Sequence, residues 1–280
     1  MLATCRKNLT FAKKNLQGFT LIEIISVIVV LSILAALGAR FVLESTNSYR
    51  STQIRSLLTN TGRQAIEHMT RQLRIALPYS VRLTNPSTPN NNMCIEFMPI
   101  VSGGNYRGAL VNNSYTEYVP DAVNLATASG TLIVSPHTID LGSPQFVSIG
   151  AMAPNELYGL NPLSRATLNS RTNTQLNFTP AKGWARNSLN KRFYLLDRPQ
   201  AFCVVGNQLR FYPDQDASAA DVNLTAAFSL LAENVTGTTT PFALTAGSEN
   251  RNTVVQFTIV FAQGSESITY NHSVMIRNVP

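Results

Sequence analysis

The chain begins polar and then turns almost wholly apolar: from Phe19 to Ala39 the only charged residue is Glu23. An unbroken apolar run of about 20 residues is what a helix needs to cross the hydrocarbon core of a bilayer, so this stretch predicts a membrane-spanning helix. Past Ala39 the pattern becomes one-sided. Ile54, Leu57, Leu58, Ala65, Ile66, Met69, Leu73, Ala76 and Leu77 recur at steps of mostly three and four, which marks a single helical face. Gly62 weakens the local helix propensity and Pro78 stops the element. One helix from Phe19 to Leu77 would run roughly 90 Å at 1.5 Å per residue, its first half suited to lipid and its second to a folded head.

After Pro78 short strands alternate with turn-rich connections. Met93 to Val101, Leu132 to Ser135 and Gln145 to Ile149 read as strands. Ala201 to Val205 and Gln208 to Tyr212 flank Gly206-Asn207, a two-residue connection that predicts a tight hairpin. At the end, Val255, Phe257, Ile259 and Phe261 share one face of a strand, and Ile268, Tyr270, His272, Val274 and Ile276 share one face of the next. With Gln263-Gly264-Ser265-Glu266 between them they predict a long antiparallel hairpin, and His272 reads as a hydrogen-bonded core residue. Two polar stretches, Ser102 to Gly130 and Ala151 to Lys191, predict long loops. Trp184, in the second, reads as a large side chain pinning its loop to the core. The expected fold class is α+β, a long amino-terminal transmembrane and amphipathic helix packed on a mainly antiparallel β-sheet head.

Charge adds an orientation. The 280-residue chain carries a net charge of +7, and Arg6, Lys7, Lys13 and Lys14 precede the apolar run with no acid to offset them. Basic residues flanking a span favour the cytoplasmic side, which places the amino terminus in the cytoplasm and the head across the membrane. Ordinary secretion is the rival, with Ala36 and Gly38 as small residues for a signal peptidase, but the run is longer than a signal core and contains Glu23. In an oxidising compartment Cys94 and Cys203 suggest a disulfide. Neither has a second Cys or His at ligand spacing, and Asp214, Asp216 and Asp221 read as a solvated turn, so no metal or other cofactor is expected. There is no GxSxG elbow, phosphate-binding loop or HExxH pair, so the chain does not read as an enzyme.

Gly18-Phe19-Thr20-Leu21-Ile22-Glu23, after a short basic leader and opening a long apolar helix, resembles the amino terminus of type IV prepilins and type II secretion pseudopilins. The resemblance implies a pilin-like fold and cleavage between Gly18 and Phe19 by a prepilin peptidase that also methylates the new amine of Phe19. Residues 1–18 would then be a leader, 19–39 the transmembrane half of the helix, 40–77 its amphipathic half and 78–280 the head. Losing four basic residues lowers the net charge from +7 to +3, which undercuts a nucleic-acid partner. Glu23 would become the fifth residue of the mature chain and meet the terminal amine of another subunit. Such a buried pair sets register more than it adds binding energy. Arg63-Gln64-Ala65-Ile66-Glu67-His68-Met69, with Arg74 to Leu77-Pro78, then Cys94-Ile95-Glu96-Phe97-Met98-Pro99-Ile100, is similar to the MshO-type minor pilins of mannose-sensitive haemagglutinin pili, and less closely to J-type pseudopilins. That implies a minor pilin in a tip complex that primes pilus biogenesis, with other minor pilins and the major pilin as partners. The alternatives are a J-type subunit of a secretion pseudopilus, or a tip adhesin touching a surface or glycan through its polar loops.

Overall fold

A computed structural model describes residues 18–85, 94–107, 128–139, 142–188, 190–236, 240–247 and 251–277. One helix, α1 (Leu21–Arg74), runs without interruption through 54 residues. The chain divides into two compact units, Met1–Thr52 and Gln53–Pro280.

In the first unit no residue of the most apolar 18-residue window of α1 is buried, and the mean hydropathy of that window is 2.7. Hydroxyls along this stretch are satisfied within the helix: Ser26 Oγ donates to the Glu23 carbonyl (2.9 Å) and Ser32 Oγ to that of Ile28 (2.7 Å). A helix whose polar groups all bond internally is the form the backbone needs in lipid.

In the second unit, Leu58, Gly62, Ala65, Ile66, Met69 and Leu73 form the buried stripe of α1. The helix ends at Arg74, three residues before the expected Leu77. Ala76 already bridges Pro99, and the Leu77 amide donates to Met98 O (2.9 Å), so sheet-like pairing takes over the last backbone groups before Pro78.

The described strands, in chain order, are β1 (Arg82–Thr84), β2 (Cys94–Phe97), β3 (Ile100–Asn105), β4 (Ser129–Ile133), β5 (Phe146–Ser148), β6 (Arg165–Arg171), β7 (Gln175–Lys182) and β8 (Arg192–Leu196). They continue as β9 (Gln200–Val205), β10 (Gln208–Tyr212), β11 (Ser229–Ala232), β12 (Val235–Thr236), β13 (Phe242–Thr245), β14 (Thr253–Gln263) and β15 (Glu266–Ile276). All pairings are antiparallel. One sheet has the order β1-β2-β9-β10-β11; in another, β12 and β13 pair with one side of β14 and β15 with the other. These sheets and the stripe of α1 share one apolar core that includes Ile95, Phe97, Phe202, Phe211, Val255, Phe257, Ile259 and Phe261. A single helix packed on curled antiparallel sheet is the α+β architecture the hydrophobic pattern predicts.

The third sheet, β3-β8-β5-β6-β7-β4, curls until its two edges meet. Tyr106, just past β3, bridges Val134, just past β4; Arg107 N donates to Ile133 O (2.9 Å) and Ser135 N to Asn105 O (2.7 Å). Its own core contains Tyr106, Leu132, Val147, Phe178, Trp184 and Phe193.

Other expectations change as well. Met93 to Val101 is not one strand: Met93 lies outside the described residues, and the chain breaks at Met98-Pro99, with β2 and β3 in different sheets. Proline has no amide to give a ladder, so the chain changes sheet there. Ala151 to Lys191 is not a loop, because it contains β6 and β7, two strands whose side chains are mostly polar and exposed. Of Ser102 to Gly130, the first residues belong to β3 and the last to β4, and 108–127 lie outside the described residues. His272 is on the expected face but exposed, its ring 6.0 Å from that of Phe257. Trp184 is buried, edge-on to Phe178 at 6.0 Å, as a pinning residue should be.

Candidate functional site

The amino-terminal site is built by where α1 begins. The Thr20 carbonyl accepts from the amides of Glu23 (3.1 Å) and Ile24 (3.2 Å), so the helix starts at Leu21 and leaves the Gly18-Phe19 peptide outside it. Gly18 has no atom within 4 Å of where a Cβ would stand, and Phe19 is 77 % exposed. A peptide bond outside regular structure, with no side chain on one flank, is open to a protease in extended form. Glu23 sits in the first helical turn, where the partial positive charge of unpaired amides favours a carboxylate. Leu21, Ile22, Ile24 and Ile25 around it are exposed, so this acid lies on a bare apolar surface. Residues 1–17, including Cys5 and the four leader cations, lie outside the described residues.

The two remaining cysteines are far from this segment in sequence and occupy facing positions in the head. Cys94 of β2 and Cys203 of β9 are register partners in neighbouring strands and form a buried disulfide across 109 residues of sequence. The hairpin turn at Gly206-Asn207 places Cys203, and strand pairing brings Cys94 opposite it.

A second cluster, not anticipated from the pattern, lies beside that bond. Glu96 on β2 is 1 % exposed, and its carboxylate accepts from Arg82 Nε at 2.7 Å. Arg82 also donates to Ala219 O (3.0 Å) and stacks on the Tyr158 ring at 3.7 Å. Arg165, likewise buried, donates to Gly159 O (3.0 Å) and stacks on Phe146 at 4.5 Å. Burial pushes the Glu96 carboxyl up to about 7 despite Arg82, with Asp221 and Asp216 adding to the rise. Burial likewise lowers Arg165 to about 10 and raises Tyr158 well above the usual phenol range. The cluster joins β1, β2, β6 and the 213–228 connection. The sequence signal was a lone Glu between Ile95 and Phe97, where strand alternation alone cannot tell a solvated from a buried carboxylate.

Asp214 pairs with Arg198 at 3.1 Å on the surface. His68 sits edge-on to Phe202 and Phe211, and its imidazole is lowered by burial and then by Arg71. Among the described residues no group of three or more His, Cys, Asp and Glu side chains is placed to hold a metal ion.

Residues 13–39 match a family model described as the prokaryotic N-terminal methylation motif. No curated protein and no solved structure matches the chain. The motif implies processing by a prepilin peptidase and methyltransferase. Together with the apolar helix and the antiparallel head, it supports a prepilin- or pilin-like structural class with a single membrane pass.

Proposed function

We propose that this chain is a minor type IV pilin, similar to the MshO group, that joins a tip complex priming pilus assembly. In this reading the leader 1–18 stays cytoplasmic, the peptidase cuts between Gly18 and Phe19, and Phe19 is N-methylated. The stretch 19–39 spans the inner membrane, 40–77 continues as the amphipathic half and 78–280 is the periplasmic head. Methylation leaves the Phe19 amine charged, and the Glu23 carboxylate of one subunit neutralises the amine of another. Other minor pilins and the major pilin are the partners.

The observation that carries the reading is the bare apolar helix with one carboxylate in its first turn, directly after an unstructured Gly18-Phe19 bond. Such a surface needs lipid or other helices around it, and a lone acid in it needs a cation. Size argues for a tip position: a head of this bulk meets fewer neighbours there than along a filament. The polar region with β6 and β7 is built into a sheet, so an adhesin reading would rest there on an exposed sheet face rather than on a loop.

The test is the mature amino terminus. Mass spectrometry of the protein from its native host should give N-methylated phenylalanine at Phe19, and Glu23→Ala should be processed and retained in the membrane yet leave cells without pili. A different first residue, or normal piliation by the variant, overturns the reading. Loss of protein secretion with normal piliation on deleting the chain would assign it to a secretion pseudopilus instead.

A further inference from the structure

Long exposed strand edges are templates for pairing with another chain, and proteins blunt them with brevity, charge, proline or bulges. Most edges here are short or sealed. β1 has three residues, β11 and β13 have four and β12 has two, while β3 and β4 are joined through Tyr106 and Val134. The exception is β15. It is 11 residues long, pairs only with β14 among the described residues, and keeps an unbroken register from Thr253↔Ile276 to Gln263↔Glu266. Between Ser267 and Ile276 there is no Lys, Arg, Asp, Glu or Pro.

The direction of its backbone groups follows from the turn. A two-residue connection at Gly264-Ser265 makes Gln263 and Glu266 a hydrogen-bonded pair, and alternation then turns every even-numbered residue of β15 toward β14. The amides and carbonyls of Ser267, Thr269, Asn271, Ser273 and Met275 therefore point outward, and all five side chains are exposed. Inward from the Met275 end of this row, across the ends of β13, β14 and β15, lies a mainly apolar cavity of 260 Å³ lined by Thr245, Ala246, Arg251, Asn252, Val254 and Met275. Arg251 forms no ion pair among the described residues.

We propose that the outer edge of β15 is a docking site for an extended segment of a different polypeptide, which adds to the sheet as a strand. The spacing of five outward peptide groups is satisfied by another extended backbone. Opposite Ser267 to Ser273 the incoming segment carries uncharged side chains; at the Met275 end it carries an apolar residue that packs on Met275 at the rim of the cavity and an acidic group that meets Arg251. A second copy of β15 does not fit this description, because its one acid, Glu266, already pairs with Arg55. The proposal does not rest on the pilus reading, since docking is read in the membrane whether or not a filament forms.

The test uses the full chain in its native membrane, with a benzophenone amino acid replacing Ser273. Illumination should give an adduct that maps, by tandem mass spectrometry, to a segment of another protein with an acid within a few positions of an apolar residue. Asn271→Pro removes an outward amide without touching the β14 ladder and should lower adduct yield at least tenfold. Thr269→Lys, a charge on the edge that leaves every backbone bond intact, should do the same and decides the matter if the proline variant fails to fold. Arg251→Glu should lower the yield severalfold. Adducts with lipid alone, adducts with a second copy of this chain, or yields unchanged by Thr269→Lys overturn the proposal.

Discussion

Gly62 lies on the buried stripe of α1 against Tyr270 of β15, and its missing side chain is what permits that approach. A Cβ there would come 2.3 Å from Tyr270 Cε2, and that ring is fixed by its hydroxyl donating to Thr59 O (2.8 Å) and by an edge contact with Phe261. Alanine normally favours a helix over glycine by about 1 kcal/mol. Here overpacking of about 1–3 kcal/mol opposes that gain, so Gly62→Ala is expected to lower stability in chemical denaturation. The loss should shrink in a Tyr270→Leu background, where the colliding ring is gone. Glu96 gives a second prediction. Its carboxyl is raised from 4.5 to about 7 in the folded chain, so between those values the folded form holds a proton the unfolded form has released. Stability therefore falls as pH rises from about 4.5 through 7. Unfolding midpoints at closely spaced pH values should trace that decline, and Glu96→Gln should flatten it.

At the scale of elements, strands with strong alternation were legible and weakly apolar ones were not. β14 and β15 put large side chains on one face, so their hairpin could be read from Val254 onward. β6 and β7 escaped notice because Leu168, Leu176 and Phe178 are scattered among Thr, Asn and Ser, and most of their side chains face solvent. Such strands are held by their ladder and by one buried face, which composition barely registers. Met98-Pro99 is a legible break, since proline has no amide for a ladder, and the exposure of His272 depends on how far the core extends along a face. The disulfide joins facing residues of β2 and β9 and closes a long loop of the unfolded chain. Replacing both cysteines with alanine should lower stability by about 2–5 kcal/mol, read as an earlier denaturation midpoint equal to that of the reduced wild-type protein.

For the molecule as a whole, the amino-terminal methylation motif and the apolar helix behind it were legible, because both depend on contiguous residues. The buried charges of the head were not, since Arg82, Glu96, Tyr158 and Arg165 meet only once two sheets and the connection bearing Tyr158 have come together. The covalent link between β2 and β9 has a mechanical meaning too. Every strand of the closed sheet, from Ile100 to Leu196, lies between Cys94 and Cys203 in the chain. Tension applied between the two termini would pass from one sulfur to the other and bypass that sheet entirely. In an optical-trap experiment the oxidised chain should yield a contour shorter by ~360 Å than the reduced one, at about 3.3–3.6 Å for each bypassed residue. A chain held by its front end would keep more than a third of its length out of the line of pull.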